Sequence, residues 1–353
     1  MSRLTPPLKR NVPFRPANLP KGTPFLSLRA IPFLIGLASF ALQPAVRAQV
    51  VTTIPVTAPH QNFSIVASPV YSEVYVADQQ NDRVVVIETT LNQILFFIDT
   101  PHAPFGLGVS PDGNTLYVTD DSNNLEAISL HTGDIIFVVG VDGGPSYPGI
   151  SSDGSTVYVP CFFAADVVAV GGPLTGAKIH VGGEPLQAVF NQNNTAAYVS
   201  LFSQKNIAVI NAATGKVIKI ATPTPIYGEA VKGTTLYATG RNQVYLVDTD
   251  TNTIVDTINV PLPPGKWELE IPTLTPDGAF LYVPVARTAS FSKIGDTVVV
   301  INTLTNKVVE TLTVGQLPTQ IAAAANDIYG YSSNLDDGTV TVFNLAHLPP
   351  GGP

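Results

Sequence analysis

The 353 residues carry 18 Lys and Arg against 26 Asp and Glu, and a single cysteine. Beyond the first 48 residues no basic cluster offsets that acidity, so phosphate backbones are repelled and nucleic acid is not expected as a partner. One cysteine cannot form an intramolecular disulfide, so the fold must be held by packing and hydrogen bonds.

The chain begins with a targeting segment. Residues 1–48 hold Arg3, Lys9, Arg10, Arg15, Lys21, Arg29 and Arg47 and no Asp or Glu, around an apolar run from Ala30 to Leu42. That run is short for a bilayer span. It leads into Val46-Arg47-Ala48, small residues at the positions a signal peptidase reads, so cleavage is expected after Ala48. The alternative is a retained membrane anchor. Removal leaves eleven basic residues against all 26 acidic ones, a formal charge of −15. The expected product is exported (periplasmic, cell-surface or secreted) and keeps no membrane span.

From residue 49 onward one unit recurs. Its clearest copy is Ser110-Pro111-Asp112-Gly113-Asn114-Thr115-Leu116-Tyr117-Val118-Thr119-Asp120, a tight turn followed by a strand. Pro presets φ, Asp bonds its own backbone and Gly takes the positive φ, while the β-branched residues favour extension. Aligned on the strand aromatic, the copies fall at Tyr75, Tyr117, Tyr158, Tyr198, Tyr237, Tyr282 and Tyr329. A second apolar strand follows each Tyr, then a turn such as Asn211-Ala212-Ala213-Thr214-Gly215-Lys216, then a closing strand such as Val217 to Ile220. Four strands at a period near 40 residues predict an all-β, seven-bladed β-propeller of antiparallel blades over residues 49–345. The seventh unit is one strand short and residues 49–56 are an orphan strand, so the N-terminal strand is expected to close the C-terminal blade. Residues 346–353 are then a loose Pro- and Gly-rich tail.

Tyr-Val after Ser-Pro-Asp-Gly, followed by Val-x-Val-Ile-Asn and Thr-Gly-Lys-Val, resembles the YVTN-type β-propeller repeat. The resemblance implies an exported seven-bladed ring with relatives among surface-layer and periplasmic binding proteins. Lactonase-like and quinoprotein-like enzymes share the fold. At the family's signature Asn, the alignment places Asp78, Asp120, Cys161, Leu201, Gly240, Val285 and Ser332.

Candidate site residues are sought where the sequence abandons its repeat. Unit six does so twice, in the connection Pro261 to Glu270, which holds the only Trp, and in the loop Ala286 to Asp296. Both belong on the face that carries the blade-to-blade connections, at the mouth of the central channel. Trp267 offers a stacking surface, or else covers an apolar rim, with Glu268, Glu270, Arg287 and Lys293 as polar contacts or solvated charges. His60 and His102 occupy equivalent connections and could supply a general base or two metal ligands. Tyr147, Glu184 and Tyr227 lie in comparable loops but make no recognised zinc set. The carboxylate pairs Asp120-Asp121 and Asp336-Asp337 could hold calcium, but they lack calcium-loop spacing and are expected as solvated turn residues. Cys161 is expected as a buried small apolar residue. No cofactor or metal is expected. The favoured role is a non-catalytic binding module for a protein, glycan or small molecule at the channel mouth. The alternative is a lactonase-like or lyase-like hydrolytic enzyme sited there.

Overall fold

Each repeat folds as an antiparallel meander of four strands, and seven such sheets make up the ring in the computed structural model. It describes residues 47–59, 64–265, 267–290 and 292–347. The expected leader up to residue 46, His60 and the tail from residue 348 lie outside the described residues. Blade 2 shows the pattern, with strands Pro104–Val109, Thr115–Asp120, Asn124–Ser129 and Ile135–Gly140 running from the channel outward. Its first turn closes as its composition demands. Ser110 Oγ and the Asn114 N–H both donate to Asp112 Oδ1, and Gly113 sits at φ +73°.

The ring is closed by Gln49–Pro55, which pairs antiparallel with Thr339–Asn344 and completes blade 7. Ala48, just before that strand, is buried and donates its N–H to Glu310 Oε2. At the other end, Ala346 is also buried and donates its N–H to Tyr282 Oη. Packing therefore continues to residue 346, one residue into the segment expected as tail.

One detail of the repeat alignment is corrected. The strand aromatic is the third residue of the second strand in blades 1 to 6, and in Tyr329–Asn334 that place belongs to Tyr331, fully buried, while Tyr329 is not. Side chains alternate with period two, so a slip of two residues left the hydrophobic pattern intact and invisible to sequence reasoning. The corrected register puts Asn334, not Ser332, at the end of that strand. There it caps the hairpin, donating from Nδ2 to Thr339 and Thr341. Asp78 and Asp120 hold the same place in blades 1 and 2 and accept from their own hairpins.

Apolar residues on the two faces of each blade pack against both neighbours, giving one large cluster per blade junction. Nearer the axis the junctions are polar. Going round the ring, Ser64 Oγ donates to Gln320, the Leu107 N–H to Ser64 Oγ, and Thr119 Oγ1 to the Ser146 carbonyl. Ser146 Oγ then donates to the Leu186 carbonyl and the Glu229 N–H to Gln187 Oε1. Thr239 Oγ1 donates to the Glu270 carbonyl and Thr273 Oγ1 to that of Ile321, so every junction has a side-chain bond. Groups matched in this way contribute about 1 kcal/mol each and tie each inner strand to its neighbour. Glycine makes the closest approach possible. A Cβ on Gly106 would stand 2.4 Å from the Ser146 carbonyl oxygen.

Candidate functional site

The unit-six departures build one object. Phe280–Thr288 and Ile294–Asn302 are nine-residue strands where other blades use five or six, and the short strand Trp267–Leu269 adds a fifth member to the sheet. Register then does the placing. Glu268 pairs with Arg287 on one side and forms an isolated bridge with Arg241 on the other, so two guanidinium groups flank one carboxylate. Arg287 Nε donates to Glu268 Oε2 at 3.0 Å, Tyr227 Oη donates to Oε1 at 2.9 Å, and Arg241 Nη2 stands 3.8 Å from Oε1. Arg241 Nε also donates to Tyr227 Oη at 3.0 Å. Glu268 is buried, so the pairs answer a desolvation that a lone carboxylate would not survive.

Glu270, two residues on, has a different setting. Burial pushes its carboxyl up to about 7, with Arg287 drawing it down and Glu268 adding repulsion. The phenol of Tyr147 is raised by burial and by Glu270, and lowered by Arg287. Tyr147 opens blade 3, so groups from non-adjacent blades act on one another across the channel mouth.

Of the residues singled out in the sequence, Glu268, Glu270 and Arg287 are brought together. Trp267 is buried in the blade 5/6 core, with its indole N–H on the Pro263 carbonyl at 2.9 Å and its backbone N–H on Asn242. It is a packing anchor and offers no exposed ring. Lys293 is exposed on a shallow recess of about 390 Å³ beside Arg241 and Thr288. His102 is exposed in the connection into blade 2, with no hydrogen bond or ion pair joining it to the Glu268 cluster. Tyr147 and Tyr227 join the cluster, while Arg241 was not singled out. Arg241 is a single polar substitution in a short hairpin, a signal too small to stand out beside the insertions.

A second feature on the same face has no counterpart in the sequence reading. Between blades 2 and 3 lies a cavity of about 610 Å³ lined by Phe105, Phe162, Phe163, Leu186, Asp120 and Asp121, among others. Aromatic contacts tie it to the polar cluster by two routes. Phe105 meets Tyr147 at 5.4 Å, while Phe162 meets Phe202 at 5.8 Å, which in turn meets Tyr227 at 5.3 Å edge to face. The readable signal was Phe162-Phe163, a pair of adjacent aromatics at the hairpin after the second strand, where blade 4 has the single Phe202 followed by Ser203 and blades 1 and 2 have polar residues.

Beneath the cavity Glu126 is fully buried. Burial first, and the Asp120 carboxylate second, raise it to about 7, and neither of its oxygens has a hydrogen-bond partner among the described residues. Glu229, in blade 5, is raised well above the carboxylate range by burial, and neither of its oxygens has a hydrogen-bond partner. Cys161 is buried and its thiol is pushed up to about 11, the setting of an inert core residue. Asp337 serves its loop by accepting the Gln316 N–H. Among the described residues no three His, Cys, Asp or Glu side chains converge as a metal set, and no helix is long and apolar enough to cross a membrane.

No protein-family model matches the chain and no curated protein matches it by sequence. Among solved structures it is similar to a chain of the hydrazine synthase of Kuenenia stuttgartiensis. That likeness has 17% identity and a TM-score of 0.66, covering 84% of this chain and 97% of the other. At that identity the likeness shows the fold alone, and 1832 solved chains match, so the comparison leaves the chemistry to the residues on the channel-mouth face.

Proposed function

We propose that the protein is an exported, non-catalytic binding module of the cell envelope or extracellular space, holding a small organic ligand at the mouth of its channel. The observation that carries this reading is the aromatic-walled cavity between blades 2 and 3, whose size lies within the usual range for small-molecule sites. The charged cluster supports it from the other side. Glu268 has Tyr227 and Arg287 as donors and Arg241 close by, which suits a rigid frame better than a reacting group. Export is supported by the basic, acid-free leader, and the ring's first strand starts at Gln49, directly after the expected cut.

The test is a ligand-observed NMR screen of a fragment set against the wild type and a Phe162→Ala/Phe163→Ala variant. Fragments that bind the first and are lost from the second support the reading. A screen with no cavity binder removes it. N-terminal sequencing of the exported protein should return Gln49; an intact leader would instead support a retained anchor.

A second reading, a hydrolytic or lyase-like enzyme, is favoured by Glu270 alone. An acid near 7 beside an arginine is poised for proton transfer at neutral pH. Turnover of simple esters or lactones that is abolished by Glu270→Gln would establish it in place of the first.

A further inference from the structure

The cavity between blades 2 and 3 has a chemical preference that the binding-module reading leaves open. Its charged lining residues are Asp120 and Asp121, and no Lys, Arg or His lines it. The two carboxylates differ in what they can offer. Asp120 is occupied, accepting from the backbone of Ser122 and from the backbone and side chain of Asn124. Asp121 is exposed, and its carboxylate makes no hydrogen bond or ion pair with a described residue.

Around this charge stand aromatic faces. Phe162 and Phe163 meet at 88° with centroids 5.4 Å apart, two walls of a corner. Phe163 is 83% exposed, the most exposed large apolar side chain among the described residues. Leaving that much apolar area in water is unfavourable, and no packing contact of its own accounts for it. Its position is nevertheless fixed. The Phe162 N–H donates to the Gly144 carbonyl at 2.7 Å and the Phe163 N–H to that of Gly143 at 3.1 Å. Gly144 in turn donates to Asn123 Oδ1. Gly144 sits at φ +73°, and a Cβ there would fall 2.5 Å from Phe163 Cδ2, so the glycine is what lets the ring lie over this loop.

We propose that this cavity binds an organic cation, an ammonium group carrying an apolar body, with Asp121 pairing the charge and Phe105, Phe162 and Phe163 supplying ring faces. An ammonium swathed in carbon is weakly hydrated and is drawn to aromatic faces. Anions are repelled by the lining and by the acidic ring as a whole. A bare metal ion finds too few oxygens, since a hard cation wants six or more. The proposal rests on the small-molecule reading given above.

The test is an NMR titration of the full mature ring with benzyltrimethylammonium and with neopentylbenzene, its uncharged carbon isostere. The wild type should prefer the cation by roughly tenfold, the size expected of cation–π contacts joined to an ion pair. Asp121→Asn should erase most of that preference while leaving the isostere's affinity unchanged. Phe163→Leu, which keeps an apolar group and removes the ring, should weaken the cation about three- to tenfold. Both positions are exposed, so the variants should keep the wild-type melting temperature. Equal binding of the two probes to the wild type overturns the cation proposal and leaves the binding-module reading standing. Binding of neither, with fragments still found in the cavity by the screen, also overturns it. Loss of the fragments as well brings down the broader reading.

Discussion

The channel-mouth face carries two clusters built on opposite terms. Over blades 5 and 6, Arg241, Arg287, Tyr227 and Glu268 consume one another's hydrogen-bonding capacity, and their side chains are mostly covered. Over blades 2 and 3, Phe163 and Asp121 are left with surface and charge that nothing among the described residues answers. The contrast teaches where to look for recognition on a propeller. A network that satisfies itself resists change, whereas groups held in place yet unmatched are free to meet a visitor.

The largest expected effect falls on the satisfied side. Glu268→Ala strands two guanidinium groups and a phenol, and should destabilise the ring by about 3 kcal/mol, since breaking a covered ion pair from one side is severe. Urea denaturation checks this; a shift under about 1 kcal/mol would mean the cluster is solvated and the contrast false.

Next comes the hinge of the cavity. Gly144→Val places a β-branched residue at positive φ and drives a side chain into Phe163. A loss of about 2 kcal/mol is expected, together with loss of cavity ligands in the fragment screen.

Protonation gives a smaller and pH-dependent difference. Glu126 and Glu270 titrate near 7 in the ring, against about 4.5 in the unfolded chain. Between those values the native state holds protons that the unfolded chain has released, so stability falls as pH rises through this window and levels off above 7. Glu126→Gln keeps the shape of the side chain and removes the titrating group beside Asp120. It should therefore be more stable than the wild type by about 1–2 kcal/mol at pH 8 and nearly equal to it at pH 4. Chemical denaturation at the two pH values decides; a gain of the same size at both would show that Glu126 is not the titrating group.

The smallest effect on stability belongs to Phe163→Ala, within about 0.5 kcal/mol because the ring is so exposed. A larger loss would reveal packing around that ring and weaken its assignment to a ligand.

The ring itself was legible in the sequence because a blade repeats its turn chemistry and its period-two alternation, and both survive divergence. Closure by residues 49–55 was legible for the same reason, as an orphan strand and a missing strand with matching patterns. The slip from Tyr331 to Tyr329 shows the limit of that signal, since period two cannot see a shift of two. At the site, insertions in blade 6 announced Glu268, Glu270 and Arg287, but an insertion does not say which way its residues face. Trp267 turned inward because an indole with an available carbonyl acceptor gains more from the core than from water. The cavity was harder to foresee. Phe105, Phe162 and Asp121 meet only because two blades lie side by side, and spacing along the chain holds no trace of that.

The clasp of blade 7 also sets a timetable. Gln49–Pro55 is among the first segments of the ring to leave the ribosome, and its partner Thr339–Asn344 is among the last. At roughly 5–20 residues per second the early strand waits on the order of tens of seconds for its mate. Through that interval Val50, Val51 and Ile54 form an apolar ribbon with no sheet to join, the kind of segment that chaperones hold and stray strand edges capture. The circle cannot be completed until the whole chain is present, so a chain cut short of Thr339 lacks the partner of its first strand.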